Sequence, residues 1–403
     1  MKNCKGLVAC VLAVMMLTAS FAALGEEIEI PDVTFIKQQV LPDNEAMAFL
    51  KKMGVGWNLG NTFDAIKGAW NMNADEMTVE TSWVGVKTTP EMFDALKNAG
   101  FSSVRIPVSW HDHVDSEMNI SQRWMDRVQE VVDYAYSRGF YVILNIHHDE
   151  DQFLPSSDHY DASAAYIQTL WGQIAERFAE YDEHLIFESM NEPRLINTSY
   201  EWTFDANVPA CLDAADCLNR LNQLFVDTVR TSGGNNETRY LMVPGYTASP
   251  ASVLNDYFKL PEDDADNRII VSVHAYTPYD FALNLNASLN TFEVRQTAST
   301  QPIAQFMASL YKKYILNGIP VVIGEFGALN KGDNLQARVN FTAYYTAAAS
   351  ARNMPCLWWD NHGFTGNGEL FGLLDRKTAA FRYPKIVEAM MAYAGYDNIT
   401  PAE

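Results

Sequence analysis

Eight short apolar segments, most of them separated by helical segments, constrain the fold of this 403-residue chain more than any other feature. They begin at Gly54, Ser103, Tyr141, Leu185, Tyr240, Arg268, Ile319 and Cys356. Continuous apolar runs of this length are typical of parallel strands covered on both faces. Eight such units close more naturally into a barrel than into an open sheet, and no Gly-x-Gly-x-x-Gly follows the first. We therefore predict an α/β fold, a (β/α)8 TIM barrel, as a single catalytic domain over residues 46–396.

Polar, titratable and aromatic side chains are concentrated at the carboxyl ends of these segments. In a barrel of this kind the catalytic groups lie where the strands end at that face, so these side chains are candidates for one site. They are Asn58, Arg105, His147, His148, Asn191, Glu192, His274, Tyr276, Glu325, Trp358 and Trp359.

Two of the segments carry a carboxylate to this end. The apolar run from Leu185 leads into Glu192, and Pro193 prevents further strand pairing there. The run from Ile319 leads, 133 residues after Glu192, to Glu325, which has a glycine on each side of it in the motif Ile-Gly-Glu-Phe-Gly. Glycosidic bond cleavage needs two carboxylates, one to exchange a proton and one to attack or to activate water. The alternative is a buried structural ion pair.

Charge and composition narrow the class of partner. The chain has 29 Lys and Arg against 50 Asp and Glu, a formal net charge of -21, which disfavours nucleic acid and anionic membranes. Its 9 Trp and 19 Tyr suit the flat apolar faces of sugars. No Cys and His spacing indicates a zinc site, and glycoside hydrolysis by two carboxylates needs no metal or cofactor, so none is predicted. We expect a monomer.

Residues 1–25 have the pattern of a secretory signal peptide. Lys2 and Lys5 precede an apolar stretch over 7–19, and small residues follow over 19–25. The stretch is too short to span a membrane comfortably. We predict a secreted, extracellular protein with no membrane attachment after cleavage. Residues 26–45 are predicted as an extended mature N-terminus and residues 397–403 as a C-terminal tail.

Three cysteines remain after the predicted signal peptide. Cys211 and Cys217 lie six residues apart in a polar segment before a helix predicted over 218–229. An oxidising exterior would allow them to form a disulfide, and the sequence leaves that pairing open. Cys356 lies in an apolar segment and is predicted to be a buried small residue.

An ordered set of motifs carries a family resemblance over nearly all of the predicted mature chain. The motifs are GWNLGNT at 56–62, VRIPV at 104–108, NIHHD at 145–149, SMNEPR at 189–194, VHAY at 273–276, IGEFG at 323–327, WWDN at 358–361 and FGLLD at 371–375. The chain resembles the cellulase family, glycoside hydrolase family 5, and within it the bacterial subfamily of endo-β-1,4-glucanases and xyloglucanases.

The resemblance implies a retaining double displacement, with Glu192 as general acid/base and Glu325 as nucleophile. Glu192 must hold its proton to protonate the leaving oxygen, and partial burial and the Glu325 anion favour that form. Arg105 would keep Glu325 ionised. Glu188, which has the same strand parity as Glu192, is interpreted as a buried partner of Arg105 and not as a third catalytic acid.

The same resemblance implies supporting roles for six further residues. Asn191 would bind the sugar 2-hydroxyl, while His274 and Tyr276 would steady Glu192 and Glu325 respectively. His147 and His148 would line the glycone side of the cleft, with a structural role as the alternative for either one. A tryptophan after the eighth strand would form the sugar platform; Trp358 is preferred, and Trp359 stays open.

The sequence does not decide which of several polysaccharides is the preferred substrate. The subfamily usually reads Trp-Gly-Asn-Pro where this chain has Trp83-Val84-Gly85-Val86. An endo-β-1,4-glucanase acting on plant cell-wall β-glucan is favoured; xyloglucanase, mixed-linkage β-glucanase, mannanase and xylanase are the alternatives within the same mechanism. A non-catalytic carbohydrate-binding barrel is a remote alternative, since both carboxylates are present. The sequence leaves open whether five tryptophans line outer subsites or lie in the core: Trp57, Trp70, Trp83, Trp110 and Trp202.

Overall fold

The computed structural model describes residues 27–69, 71–332 and 334–401 and contains a closed barrel of eight parallel strands. In chain order these are β1 (Val55–Leu59), β2 (Ser103–Ile106), β3 (Tyr141–Asn145), β4 (Leu185–Glu188), β5 (Leu241–Pro244), β6 (Ile269–His274), β7 (Val321–Phe326) and β8 (Cys356–Asp360). Each strand pairs with the next, and β8 pairs with β1, so the predicted (β/α)8 barrel is confirmed. The predicted signal peptide lies outside the described residues.

Helices cover the outside of the barrel. The longer ones are Glu45–Met53, Pro90–Ala99, Gln122–Tyr136, Tyr160–Arg177, Pro209–Thr231, Thr297–Lys313, Leu335–Ser350 and Pro384–Ala392. Three short ones are Val79–Ser82, Pro250–Leu254 and Tyr279–Ala282. Local chemistry sets several ends: the Asn44 side chain accepts from Met47 N, and Gly100 ends its helix at φ 103°.

Two register irregularities adjust the strands that carry the candidate site. The pairing of β6 with β7 shifts between Val273 and His274, and that of β7 with β8 shifts between Ile323 and Phe326. The first shift places His274 opposite Glu325 in the ladder. Such irregularities re-aim side chains next to active sites, and here they bring an imidazole beside a carboxylate.

The two ends of the described chain lie together. Lys37 and Gln38, in the segment predicted to be extended, pair in parallel with Thr400 and Pro401 of the C-terminal tail. No helix among the described residues has both the length and the apolar character needed to cross a membrane.

The disulfide between Cys211 and Cys217 does not form in this structure. Both residues lie in the helix Pro209–Thr231, which starts nine residues before the predicted helix, and both are buried free thiols. Six helical residues rise by about 9 Å, which is beyond the reach of a disulfide. The buried positions in its first turns are Cys211, Ala214, Ala215 and Cys217, whose small side chains give a weak apolar signal in the sequence. Cys356 is buried in β8, as predicted.

Candidate active site

The two predicted catalytic carboxylates meet at the carboxyl end of the barrel. Glu192 follows β4 and Glu325 lies in β7, and one oxygen of each, together with a ring nitrogen of His274, lies within a mutual distance of 4.8 Å. The Glu325 side chain is buried, whereas that of Glu192 is 19% exposed. One carboxylate is therefore fixed inside the site, and the other faces the open cleft.

A single buried cation organises the floor of the site. Arg105 donates from Nε to Glu188 Oε2 at 2.7 Å and from Nη1 to Glu325 Oε1 at 2.7 Å. It also donates from Nη1 to Asn58 Oδ1 at 3.0 Å and from Nη2 to Asn191 Oδ1 at 2.8 Å. Because Asn191 uses its oxygen here, its amide nitrogen is left as the donor toward a substrate. The interpretation of Glu188 as a buried partner of Arg105 is confirmed.

The environment of Glu325 keeps it ionised. Burial alone raises the pKa of this carboxyl, but the charges of His274 and Arg105 and the hydrogen bond from Tyr276 outweigh burial. The pKa of Glu325 is therefore below its ordinary value. An ionised carboxylate that accepts two hydrogen bonds at 2.7 Å is held in one orientation, as a nucleophile must be.

His274 and Tyr276 make the two contacts predicted for them. His274 Nδ1 lies 2.8 Å from Glu192 Oε1, and the Tyr276 hydroxyl donates to Glu325 Oε2 at 2.7 Å. Burial lowers the pKa of His274, but the charge of Glu325 and the bond to Glu192 raise it above its ordinary value. Burial and the Glu325 charge raise the pKa of Tyr276, so its hydroxyl remains a donor.

The pKa values of the two adjacent histidines are shifted in opposite directions. His147 is buried, with Nδ1 3.2 Å from Asn145 Nδ2, and burial and the charge of His148 lower its pKa well below the ordinary value. His148 is partly exposed, and its Nδ1 lies 3.5 Å from Glu150. Burial lowers the pKa of His148, but the hydrogen bond and charge of Glu150 raise it overall. His147 therefore stays neutral near neutral pH, and His148 is the ring of the pair that takes up a proton more readily.

The preference for Trp358 as the sugar platform is wrong. Trp358 is fully buried and donates from Nε1 to the Phe371 carbonyl at 2.9 Å. Trp359 is 7% exposed, and its ring lies parallel to that of His147 with centroids 5.7 Å apart. A Cβ on Gly60 would lie 2.8 Å from the Trp359 ring, so that glycine makes room for it. Successive strand residues point to opposite faces, so only one of the doublet can line the cleft.

The tryptophans considered for outer subsites fall into two groups. Trp57 and Trp110 are fully buried core residues. Trp83 is exposed with its ring centroid 6.0 Å from that of His148, and Trp202 is 60% exposed. Trp70 lies outside the described residues.

Sequence reasoning left two buried aspartates without a role. Asp149 accepts the backbone N–H groups of Trp110 and His111 at 3.0–3.1 Å. Asp360 accepts Trp57 Nε1 at 2.8 Å and the three backbone N–H groups of His362, Leu373 and Leu374, which follow β8. Both shape loops around the cleft. Asp360 ends β8 and Asp149 lies four residues beyond the end of β3, and this position at the carboxyl end of a strand is the sequence signal that could have revealed their role.

Among the described residues, two clusters of side chains bring potential metal ligands within 4.8 Å of one another. One is Glu192, His274 and Glu325, the centre described above. The other is Asp64, His147 and His148, where both Asp64 oxygens already accept backbone N–H groups. The second cluster is thereby committed to hydrogen bonds within the protein.

We expect Arg105→Met to lower the free energy of unfolding by about 3–5 kcal/mol, because it leaves two buried carboxylates without their cation. Equilibrium urea unfolding measures the change. In the double variant Arg105→Met/Glu188→Gln one of those charges is gone, so part of the loss should be recovered. If the free energy of unfolding of the single variant falls by less than about 1 kcal/mol, Arg105 does not stabilise the two buried carboxylates as described.

Comparison with known proteins assigns the family. A family model described as cellulase, glycosyl hydrolase family 5, matches residues 68–365. The chain belongs to this family. Endoglucanase 1 of Ruminococcus albus is 42% identical over 355 residues, which cover 87% of this chain and 82% of that protein. Endoglucanase A of Clostridium longisporum is 39% identical over 368 residues, 91% of this chain and 69% of the relative.

Solved structures extend the similarity to three dimensions. A family 5 lichenase from Caldicellulosiruptor sp. F32, solved as a mutant in complex with cellotetraose, is 53% identical with a TM-score of 0.89, covering 91% of this chain and all 100% of that one. A broad-specificity endoglucanase from Ruminococcus champanellensis with bound cellotriose is 43% identical, with a TM-score of 0.81 and coverages of 88% and 100%. The family resemblance inferred from the motifs is confirmed, and the protein is a glycoside hydrolase.

Proposed function

We propose that this protein is an endo-acting β-glucanase that hydrolyses β-1,4-glucosidic bonds with retention of configuration. The observation that carries the proposal is the approach of the Glu192 and Glu325 oxygens to within 4.8 Å. Retaining enzymes hold their carboxyl groups about 5–5.5 Å apart, whereas inverting enzymes leave about 6.5–9.5 Å for a water molecule. The spacing therefore favours direct attack by Glu325.

In the first step Glu325 attacks the anomeric carbon while Glu192 protonates the glycosidic oxygen. The bond from the anomeric carbon to that oxygen breaks, the shortened chain leaves with the proton, and a glycosyl ester forms on Glu325. Arg105 and Tyr276 hold Glu325 in place for this attack. The Asn191 amide nitrogen is the donor for the sugar 2-hydroxyl, a contact that strengthens in the transition state.

In the second step Glu192, now ionised, takes a proton from a water molecule, which attacks the anomeric carbon and releases Glu325. His274 Nδ1, 2.8 Å from Glu192 Oε1, holds the carboxylate while its charge changes between steps. Two inversions at the same carbon give net retention. The step consumes one water molecule and needs no metal or cofactor.

Two groups of relatives guide the substrate proposal. Four curated relatives from bacteria carry the name endoglucanase at 39–42% identity, which supports β-1,4-glucan. A solved neighbour at 53% identity is a lichenase, which makes mixed-linkage β-glucan the second candidate. The neutral ring of His147, the face of Trp359 and the exposed ring of Trp83 suit an uncharged glucan in either case.

The test is hydrolysis of carboxymethyl cellulose, barley β-glucan, xyloglucan, mannan and xylan, with reducing ends and viscosity followed together. Endo cleavage lowers viscosity early, before many reducing ends have formed. NMR of the first products should show the β-anomer before mutarotation. Absence of cleavage on all five polymers would refute the proposal and favour a carbohydrate-binding barrel. A first product with the α-anomer would refute the retaining mechanism.

We expect Trp359→Ala to lower kcat/KM on β-glucan by about 10- to 100-fold, because the cleft loses an aromatic face for a sugar. The matched control is Trp358→Phe, which should lower the unfolding midpoint and leave KM unchanged. Steady-state kinetics and thermal unfolding of both variants check this. If KM instead changes only when Trp358 is substituted, Trp358 is the sugar platform, as the sequence analysis preferred.

We also propose that the protein is exported and acts as a monomer. The support is the signal-like pattern of residues 1–25 and the strongly acidic net charge of -21. N-terminal sequencing of protein recovered from the culture medium, with size-exclusion chromatography, tests both. An N-terminus still beginning at Met1 in recovered protein would contradict cleavage.

A further inference from the structure

Arg194 joins the backbone of the acid/base residue to two other carboxylates. Its Nη1 donates to the Glu192 carbonyl oxygen at 2.9 Å and to Glu150 Oε1 at 2.8 Å. Its Nε donates to Glu201 Oε1 at 3.2 Å, and its side chain is 12% exposed. A guanidinium held by three acceptors has little freedom, so it fixes the turn on which Glu192 stands.

The same guanidinium lies under an exposed indole. Its central carbon is 4.2 Å from the ring centroid of Trp202, within range of a cation–π interaction, and Trp202 is 60% exposed. Trp202 directly follows Glu201, which is itself bonded to Arg194. One side chain therefore supports both the acid/base turn and an aromatic ring that is open to solvent.

The contacts continue from Arg194 to the predicted glycone side. Glu150 bonds Arg194 and lies 3.5 Å from His148 Nδ1. Burial alone raises the pKa of Glu150, but the hydrogen bond and charge of His148 and the charge of Arg194 lower it to about 2. The anion is permanent near neutral pH, so the link between His148 and Arg194 persists there.

Glu192 has two supports of different kinds. His274 holds its carboxylate at 2.8 Å, and Arg194 holds its backbone carbonyl at 2.9 Å. Because a general acid must stand within hydrogen-bond reach of the oxygen it protonates, movement of the backbone disturbs proton transfer even if the carboxylate is intact. The leaving chain lies on the side of the general acid, and the Arg194 guanidinium places the exposed ring of Trp202 next to the turn that carries Glu192.

We propose that Arg194 is a positioning residue that holds Glu192 in line with the leaving-group oxygen and supports an aromatic contact for the leaving chain at Trp202. The inference rests on the proposed retaining mechanism. The step concerned is the transfer of the Glu192 proton to the glycosidic oxygen as the bond to the anomeric carbon breaks. In the same step Glu325 attacks that carbon, so a glycosyl ester forms as the leaving chain departs with the proton.

The test compares aryl β-cellobiosides whose phenols range from 2,4-dinitrophenol to unsubstituted phenol. A good leaving group departs without protonation, whereas a poor one needs the general acid. For Arg194→Met we expect kcat/KM to fall less than about 3-fold with the dinitrophenyl substrate and roughly 100-fold with the phenyl substrate and with cellotetraose. Arg194→Lys keeps the charge without the planar fork and should fall between.

Arg230→Met is the matched control. Arg230 is also 12% exposed, donates twice to Asp263 at 2.8 Å and bonds the Asn236 carbonyl at 2.7 Å, but it lies at the far end of the helix Pro209–Thr231. Its loss should lower the unfolding midpoint without changing the dependence on leaving group. Trp202→Ala should weaken cellotetraose hydrolysis and leave the slope across the phenols unchanged.

Two failures are distinguishable. If the wild-type protein hydrolyses no aryl β-cellobioside and no glucan, the proposed function is overturned, and the role of Arg194 with it. If the wild type is active but Arg194→Met and Arg194→Lys lower kcat/KM equally across all phenols, or leave it unchanged, the positioning role alone is overturned. Thermal unfolding of each variant identifies any that fails to fold. If Arg194→Met does not fold, the leaving-group dependence of Arg194→Lys tests the positioning role.

Discussion

Glu325→Ala should lose essentially all hydrolysis of β-glucan, with kcat falling by roughly 10⁴- to 10⁶-fold. The carboxylate is buried and ionised, and it accepts from Arg105 and Tyr276 at 2.7 Å each, so it has the fixed orientation and charge that attack requires. Glu188 cannot substitute for it, because Glu188 is committed to Arg105 and Ser272 at 2.7 and 2.6 Å.

Azide separates the loss of a nucleophile from a general loss of structure. The alanine variant leaves space in which azide can attack the anomeric carbon of dinitrophenyl β-cellobioside. One inversion then gives the α-glycosyl azide, which NMR identifies. Glu188→Gln is the control: it alters the same buried network, and azide should give no such product with it. A β-configured azide from Glu325→Ala would show that another residue is the nucleophile.

The pH profile of the wild type gives an independent check on Glu325. The reaction needs its ionised form, so kcat/KM falls at acid pH as this carboxylate takes up a proton. His274 and Arg105 keep the pKa of Glu325 below its ordinary value, so the acid limb should lie below the usual range of a glutamate. An acid limb above that range would contradict the charge arrangement.

Glu192→Ala should lower kcat/KM on β-glucan by about 10²- to 10⁴-fold, the usual contribution of general acid catalysis. The expected signature is a strong dependence on leaving group. Dinitrophenyl β-cellobioside should still form the glycosyl ester, because its phenol departs without protonation. The second step should then stall, since no base remains to activate water, and a burst of dinitrophenol should precede a slow steady state.

Azide again identifies the residue. It needs no general base, so it should speed release of the ester in Glu192→Ala and give the β-glycosyl azide after two inversions. The opposite anomers expected from Glu192→Ala and Glu325→Ala make each variant the control for the other. Full activity of Glu192→Ala on polymer, or an α-azide from it, would contradict the assignment of acid/base.

The fold could be predicted from the sequence because the pattern that indicates it, a short apolar run, recurs eight times and can be recognised within a short stretch of chain. Eight apolar runs, most of them ending in polar residues, predict eight parallel strands without any knowledge of their contacts. The same rule placed Glu192 and Glu325 at strand ends, where the structure brings their oxygens to within 4.8 Å. Strand parity was enough to pair Glu188 with Arg105, and to place His274 and Tyr276 on one side.

The sequence prediction failed where the outcome depends on which side of a strand or helix packs against the core. Trp358 and Trp359 are chemically identical, and only the packing of β8 decides that Trp358 enters the core. Cys211 and Cys217 lie on the buried face of the first turns of the helix Pro209–Thr231, which the sequence prediction began only at Leu218. Neither question has an answer in spacing alone, because each depends on what a neighbouring element covers.

The sequence by itself determined the barrel, the two carboxylates and the family. The tertiary structure alone decided that Arg105 serves Glu188 and Glu325 at once, across separations of 83 and 220 residues. It alone showed the contacts of Arg194 with Glu150 and Trp202. The physical reason is that apolar periodicity is a local property of the sequence and can be recognised without knowing any contact. The partner of a buried charge depends on strand register and loop packing, which bring together residues that are distant in sequence.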